Sequence, residues 1–210
     1  MRFILCILAL TLSSCAAKQW PPESREPLSE AQRAATVAIH VICAAESGQI
    51  SRWRGSGVIV DETTVLTAYH VADCPGDSMI AVETLRGIMV MAALGNFDEA
   101  SDVASLILFE SIPGHSATIA KPPGIGQVIC AESAIPTRAR KCGRVHWLAP
   151  DPAQNDIRHD LHVVGGNSGS GVYDQRGMLI GIVTLRRTDR PGGAAASLWS
   201  HKELLMPLAP

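Results

Sequence analysis

The chain of 210 residues has few aromatics, 4%, and a net charge of only −2. A surface this close to neutral offers nothing to steer nucleic acid, and that class of partner is excluded. The one sustained apolar stretch, residues 3–12, is too short to cross a bilayer as a helix. No C-x-x-C pair is present, so a cysteine zinc site has little support, and no internal repeat points to a solenoid. His159 and His162 lie close together but lack a third ligand at sensible spacing, so no metal is expected, and no organic cofactor is implied. What the chain does have is glycine, 18 residues, and proline, 13 residues. That balance favours short strands and many turns over a helical bundle.

The first residues read as a targeting segment. Arg2 is a minimal positive start, the apolar stretch follows, and Leu12-Ser13-Ser14-Cys15 resembles the lipobox of bacterial lipoproteins. The expectation is a signal peptide over 1–14, lipidation at Cys15 and a tether over 15–35. The alternative is a plain secretory signal cleaved near Ala16 or Ala17. Several acyl chains would anchor the protein to a bacterial membrane, and Ala16 after the cysteine implies the outer one. The domain would then face the periplasm or the cell surface; without the lipid it would be periplasmic or secreted. Of six cysteines, Cys6 falls in the signal and Cys15 is the lipid site, which leaves Cys43, Cys74, Cys130 and Cys142 for an oxidising compartment. Four cysteines allow three connectivities. A hairpin expected between Cys130 and Cys142 favours that pair and leaves Cys43 with Cys74, with the connectivity still open.

Residues 29–35 suit one or two helical turns, with Ser29 as cap. Strands are expected at 37–44, 55–60, 64–68, 78–82, 88–93 and 103–109, with a polar turn at 46–54 and a helical turn at 71–73. Residues 112–126 are rich in proline and glycine and read as a connector. Strands then recur at 127–131, 141–148, 161–164, 171–174, 178–185 and 195–199, and a short helix is expected at 204–208. About six strands, a connector and six more predict an all-β fold of two packed six-stranded antiparallel β-barrels with a short C-terminal helix. The domain would cover 36–210, with barrel one near 36–112 and barrel two near 124–203.

Gly165-Gly166-Asn167-Ser168-Gly169-Ser170-Gly171 places a serine among glycines with an apolar strand behind it. Such a turn can present a hydroxyl and bring backbone N–H groups close to a reacting carbonyl. Ser168 is the candidate nucleophile, and the N–H groups of Gly166 and Ser168 are the candidate oxyanion hole. A hydroxyl nucleophile needs a neutral imidazole and a group to orient it. His70 ends an apolar strand and starts a turn, which suits the base; Asp102 opens a buried strand, where a carboxylate needs a partner.

Together these segments resemble the chymotrypsin-fold serine proteases. Thr67-Ala68-Tyr69-His70 is similar to their T-A-A-H, Asp102-Val103-Ala104-Ser105-Leu106 to D-x-A-x-L, and Gly166-Asn167-Ser168-Gly169-Ser170-Gly171 to G-[DN]-S-G-[GS]-P. The order His, Asp, Ser is theirs. The resemblance implies a serine endopeptidase acting on peptide or protein substrates through an acyl-enzyme. Asn167 stands where zymogen-activated members carry an aspartate, so activation by a new N-terminus is not expected. Tyr69 replaces a small residue and needs room. The stretch before Ser168 is similar to bacterial glutamyl endopeptidases, whose acid-reading threonine and histidine become Val163 and Val183 here. The resemblance thus puts a pocket at His162, Val163, Val183 and Thr184, with His162 at its floor and no acidic preference. Substrate backbone is expected to add as a strand along 184–186. Two other uses of the same residues are a catalytically silent binding lipoprotein with Tyr69 across the cleft, and an esterase. The sequence is silent on oligomeric state.

Overall fold

The computed structural model describes residues 30–113, 116–121, 124–135, 139–148, 156–186 and 193–198. The signal segment, Cys15, most of the tether and the helix expected at 204–208 lie outside the described residues. A short helix α1 (Glu30–Ala35) leads into β1 (Thr36–Ala44). Then follow β2 (Ile50–Ile59), β3 (Thr64–Thr67), a one-turn helix α2 (Tyr69–Ala72), β4 (Asp77–Thr84), β5 (Met89–Asp98) and β6 (Val103–Leu108). These strands close into a barrel in the order β1-β2-β3-β6-β5-β4. The second barrel closes as β10-β11-β12-β9-β8-β7 from β7 (Val128–Ser133), β8 (Ala139–Leu148), β9 (Asp156–His159), β10 (Gly171–Tyr173), β11 (Leu179–Arg186) and β12 (Gly193–Ser197). Closure leaves neither sheet with an open edge. The expected two six-stranded antiparallel barrels are the observed fold.

Alternation along the strands explains the first barrel. Val37, Ile39 and Val41 of β1, Ile80 and Val82 of β4, and Val90 and Ala92 of β5 all point into one core. A second core fills barrel two, around Ile129, Val145, Ile157 and Ile180. A third lies between the barrels, where Val58, Leu66 and Val103 meet Tyr173, Leu179 and Ile182. Each large side chain buried this way contributes about 1.5–3 kcal/mol. The connector is stitched to both halves: the Ala117 N–H bonds to the Ile59 carbonyl at 3.0 Å, and the Leu179 N–H to the Thr118 carbonyl at 2.8 Å.

Two local expectations are corrected. Residues 161–164 form no strand, because their backbone is committed to turns: the Val163 N–H bonds to the Leu161 carbonyl and the Asn167 N–H to that of Val164. The pairing strand is the polar-looking β9, in which Ile157 and His159 are buried and the Arg158 guanidinium lies 4.6 Å from the Trp147 ring centroid. The turn expected at 46–54 is shorter, since Ile50 already pairs with Ala44. Cys43 is bonded to Cys74, which ties β1 to the segment after α2, and Cys130 to Cys142, directly opposed on β7 and β8.

Candidate functional site

Ser56, buried in β2 between two glycines, is the hub. Its N–H donates to the Ser168 carbonyl at 2.8 Å, and its own carbonyl accepts from Thr67 Oγ1 at 2.8 Å. Its Oγ donates to the Gly166 carbonyl at 2.9 Å and accepts from the Ala134 N–H at 3.1 Å. One residue of barrel one thus gathers the serine loop and the strand leading to His70. The close approach is possible only because Gly169, at φ 82°, has no side chain; a Cβ there would collide with the Ser56 carbonyl and Thr67 Oγ1.

α2 presents His70. Gly55 lets β2 approach Val71, and the Trp53 indole N–H donates to the Val71 carbonyl at 2.7 Å. Asp102 reaches the same residue twice: Oδ1 accepts from the His70 N–H at 2.9 Å, and Oδ2 lies 2.7 Å from Nδ1. A carboxylate on Nδ1 favours the tautomer that leaves Nε2 free to accept a proton. Asp102 has φ 55°, the one positive value among the described non-glycine residues. Left-handed backbone is costly away from glycine and tends to mark functional positions. The turn before it makes this geometry: Asp98 Oδ1 accepts from the Ala100 N–H at 3.0 Å and from the Ser101 N–H at 3.3 Å. Asp98 is thus part of this support. Asp102 was expected to be buried, yet its side chain is 29% exposed and that of His70 48% exposed.

The serine loop is two consecutive turns. The Asn167 N–H bonds to the Val164 carbonyl and the Ser170 N–H to the Asn167 carbonyl, each at 3.0 Å. Gly166, at φ 88°, and Gly169 take the third positions, the type II pattern that requires positive φ there. Ser168 therefore sits at the second position of a tight turn. The N–H groups of Gly166 and Ser168 engage no hydrogen bond among the described residues. Asn167, 3% exposed, pins the loop from within. Its Oδ1 accepts from the Val164 N–H at 2.8 Å, and its Nδ2 donates to Ser133 Oγ at 2.8 Å and to the Ile135 carbonyl at 3.0 Å. No hydrogen bond joins Ser168 Oγ to His70 among the described residues. Such contacts often tighten only when substrate is present.

The pocket residues differ in exposure. Val163 and Val183 are buried in the core of barrel two, and Thr184 Oγ1 donates to the Ala194 carbonyl at 3.4 Å. His162 is exposed rather than enclosed as a floor. Tyr69 finds its room against Phe97, with ring centroids 4.6 Å apart and planes 13° apart, and its hydroxyl lies 3.3 Å from Asp73 Oδ1. The sequence reading missed Ser56, Ser133 and Ile135. Only Ser56 carried a signal, as a polar residue between glycines in an otherwise apolar strand.

Residues 55–182 match the family model for the trypsin-like peptidase domain. No curated protein matches the chain. The matched stretch is more than half of the chain and runs from β2 into β11, across both barrels, so the chain belongs to the trypsin-like peptidase domain family.

Proposed function

We propose that the protein is a serine endopeptidase in which Ser168, His70 and Asp102 form the catalytic triad. Ser168 Oγ attacks the scissile carbonyl carbon while His70 Nε2 takes its proton. The N–H groups of Gly166 and Ser168 receive the oxyanion. His70 then gives the proton to the leaving amine nitrogen, the C–N bond breaks, and an acyl-enzyme remains. Water, deprotonated by the same imidazole, releases the acid and restores Ser168. The observation that carries this reading is the two-point hold of Asp102 on His70. The two unengaged N–H groups beside Ser168 support it. Oxyanion donors of this kind are each worth about a hundred- to a thousandfold in turnover.

Export is part of the proposal, supported by the two disulfides, which belong to an oxidising compartment. The mature chain would begin at a lipidated Cys15 and lie on a bacterial membrane, with the protease domain over 36–210. Intact mass of the purified mature protein after treatment with a fluorophosphonate tests both points. The expected result is an acylated N-terminal cysteine and one phosphonyl adduct, the adduct absent in a folded Ser168→Ala variant. No adduct on folded wild type, or an adduct that persists in the variant, would rule out Ser168 as nucleophile.

A further inference from the structure

The Ala134–Ile135 segment that secures the serine loop has a second neighbour. Where it meets barrel one, a cavity with about 480 Å³ of empty volume, part of it open to solvent, is lined by Ala38, His40, Arg54, Glu83, Ala134 and Ile135. The strand register builds its floor. Arg54 of β2 is directly opposite His40 of β1, and Ala38 lies between Ser56 and Glu83. His40 Nε2 is 2.9 Å from Glu83 Oε2, so the carboxylate of this wall already has a partner. Arg54 is exposed and makes no ion pair or side-chain hydrogen bond among the described residues. Its guanidinium is therefore the side-chain cation of the cavity without a direct partner among the described residues, set against the apolar Ala38, Ala134 and Ile135.

We propose that this cavity binds an acidic peptide segment through its carboxylate, with Arg54 as the cation. A guanidinium offers two parallel N–H donors that match a carboxylate, and partial enclosure strengthens the pair relative to open water. Occupation is coupled to the serine loop. Ile135 lines the cavity, its carbonyl accepts from Asn167 Nδ2, and its side chain packs on Gly166, where a Cβ would stand 2.8 Å from Ile135 Cγ2. Ala134 joins the same network through Ser56 Oγ, which also bonds the Gly166 carbonyl. A segment seated against Ile135 thus bears on the Gly166 peptide. The acidic residue belongs either to the substrate itself or to a separate peptide. Only the coupling rests on the hydrolytic reading above.

The test begins with binding to full-length Ser168→Ala protein, by calorimetry. The probes are the N-acetylated, C-amidated peptides Ala-Ala-Asp-Ala and Ala-Ala-Asn-Ala. The aspartate peptide is expected to bind roughly tenfold more tightly, a preference abolished by Arg54→Ala and partly kept by Arg54→Lys. Equal binding of the two peptides, or a preference that survives Arg54→Ala, overturns the proposal. Two rate measurements then identify the source. A gain in kcat/KM for substrates with aspartate beyond the scissile bond, lost in Arg54→Ala, assigns the site to the substrate. A change in fluorophosphonate labelling rate when the free aspartate peptide is added to wild type assigns it to an effector. Binding that alters neither rate overturns the coupling through Ile135. Labelling of wild type and Arg54→Ala alike locates any loss of preference in the cavity. Absence of labelling in both counts against the hydrolytic reading and leaves the binding result to decide for itself.

Discussion

At the scale of single residues, the site depends on side chains that hold other groups in place. In the proposed triad Asp102 keeps the His70 tautomer, and Asp102→Asn is expected to lower kcat by about ten-thousandfold, the loss such a change brings in triad hydrolases, with the fold intact by circular dichroism. Asn167 touches no substrate in the proposed mechanism, yet it ties the serine loop to Ser133 and Ile135. Asn167→Ala frees the Gly166–Ser168 turn, and the fluorophosphonate labelling rate is expected to fall about a hundredfold or more, the scale of a lost oxyanion donor. An unchanged labelling rate in that variant would show that the turn keeps its shape without the anchor. His70, Asp102 and Ser168 were legible in the sequence because each sits where a strand ends beside a turn, and because their motifs come in one order. Their supports were not. Ser133 and Ile135 are ordinary residues whose role comes from a partner about thirty positions away along the chain, and such pairings leave no local pattern.

At the scale of elements, two strands of barrel two carry buried titratable groups with opposite effects on stability. Burial on β7 pushes the Glu132 carboxyl up to about 7, against the pull of Arg140 and Arg33. Burial on β9 pushes the His159 imidazole down to about 4, with Asp160 pulling the other way. Between about 4.5 and 7 the folded state holds the Glu132 proton that the unfolded chain has released, so stability falls as pH rises. Between about 4 and 6.5 the unfolded chain binds a proton at His159 that the folded state refuses, so stability rises with pH. Each slope integrates to on the order of 3 kcal/mol. In wild type they cancel over the shared window. Glu132→Gln is expected to expose the rise and His159→Gln the fall, read from urea midpoints across pH 4.5 to 6.5; three flat profiles would contradict both shifts. β9 also shows why one strand escaped the sequence reading. Its register is set by β8 and β12 on either side, and Ile157 and His159, the buried pair among its described side chains, are too few to form a visible alternation. The apolar run at 161–164 looked more strand-like and was spent on the turns that carry Asn167.

At the scale of the whole molecule, the two-barrel plan followed from the count of short strands around a proline- and glycine-rich connector, whereas the docking of one barrel on the other did not. That docking rests on the shared apolar seam and on Ser56, whose four hydrogen bonds reach Thr67 in its own barrel and Ala134, Gly166 and Ser168 in the other. Ser56→Ala leaves the Ala134 N–H and the Gly166 carbonyl without this partner. It is expected to cost about 1–3 kcal/mol in unfolding free energy and to slow fluorophosphonate labelling more than the stability loss accounts for. A labelling rate equal to wild type at full folding would show that the seam alone aligns the halves. His70 and Asp102 belong to one half and Ser168 to the other, so under the proposed mechanism a newly made chain has nothing with which to cut its neighbours until both halves are folded and joined. The protease proposed here would carry its own safety catch, released by completion of the fold.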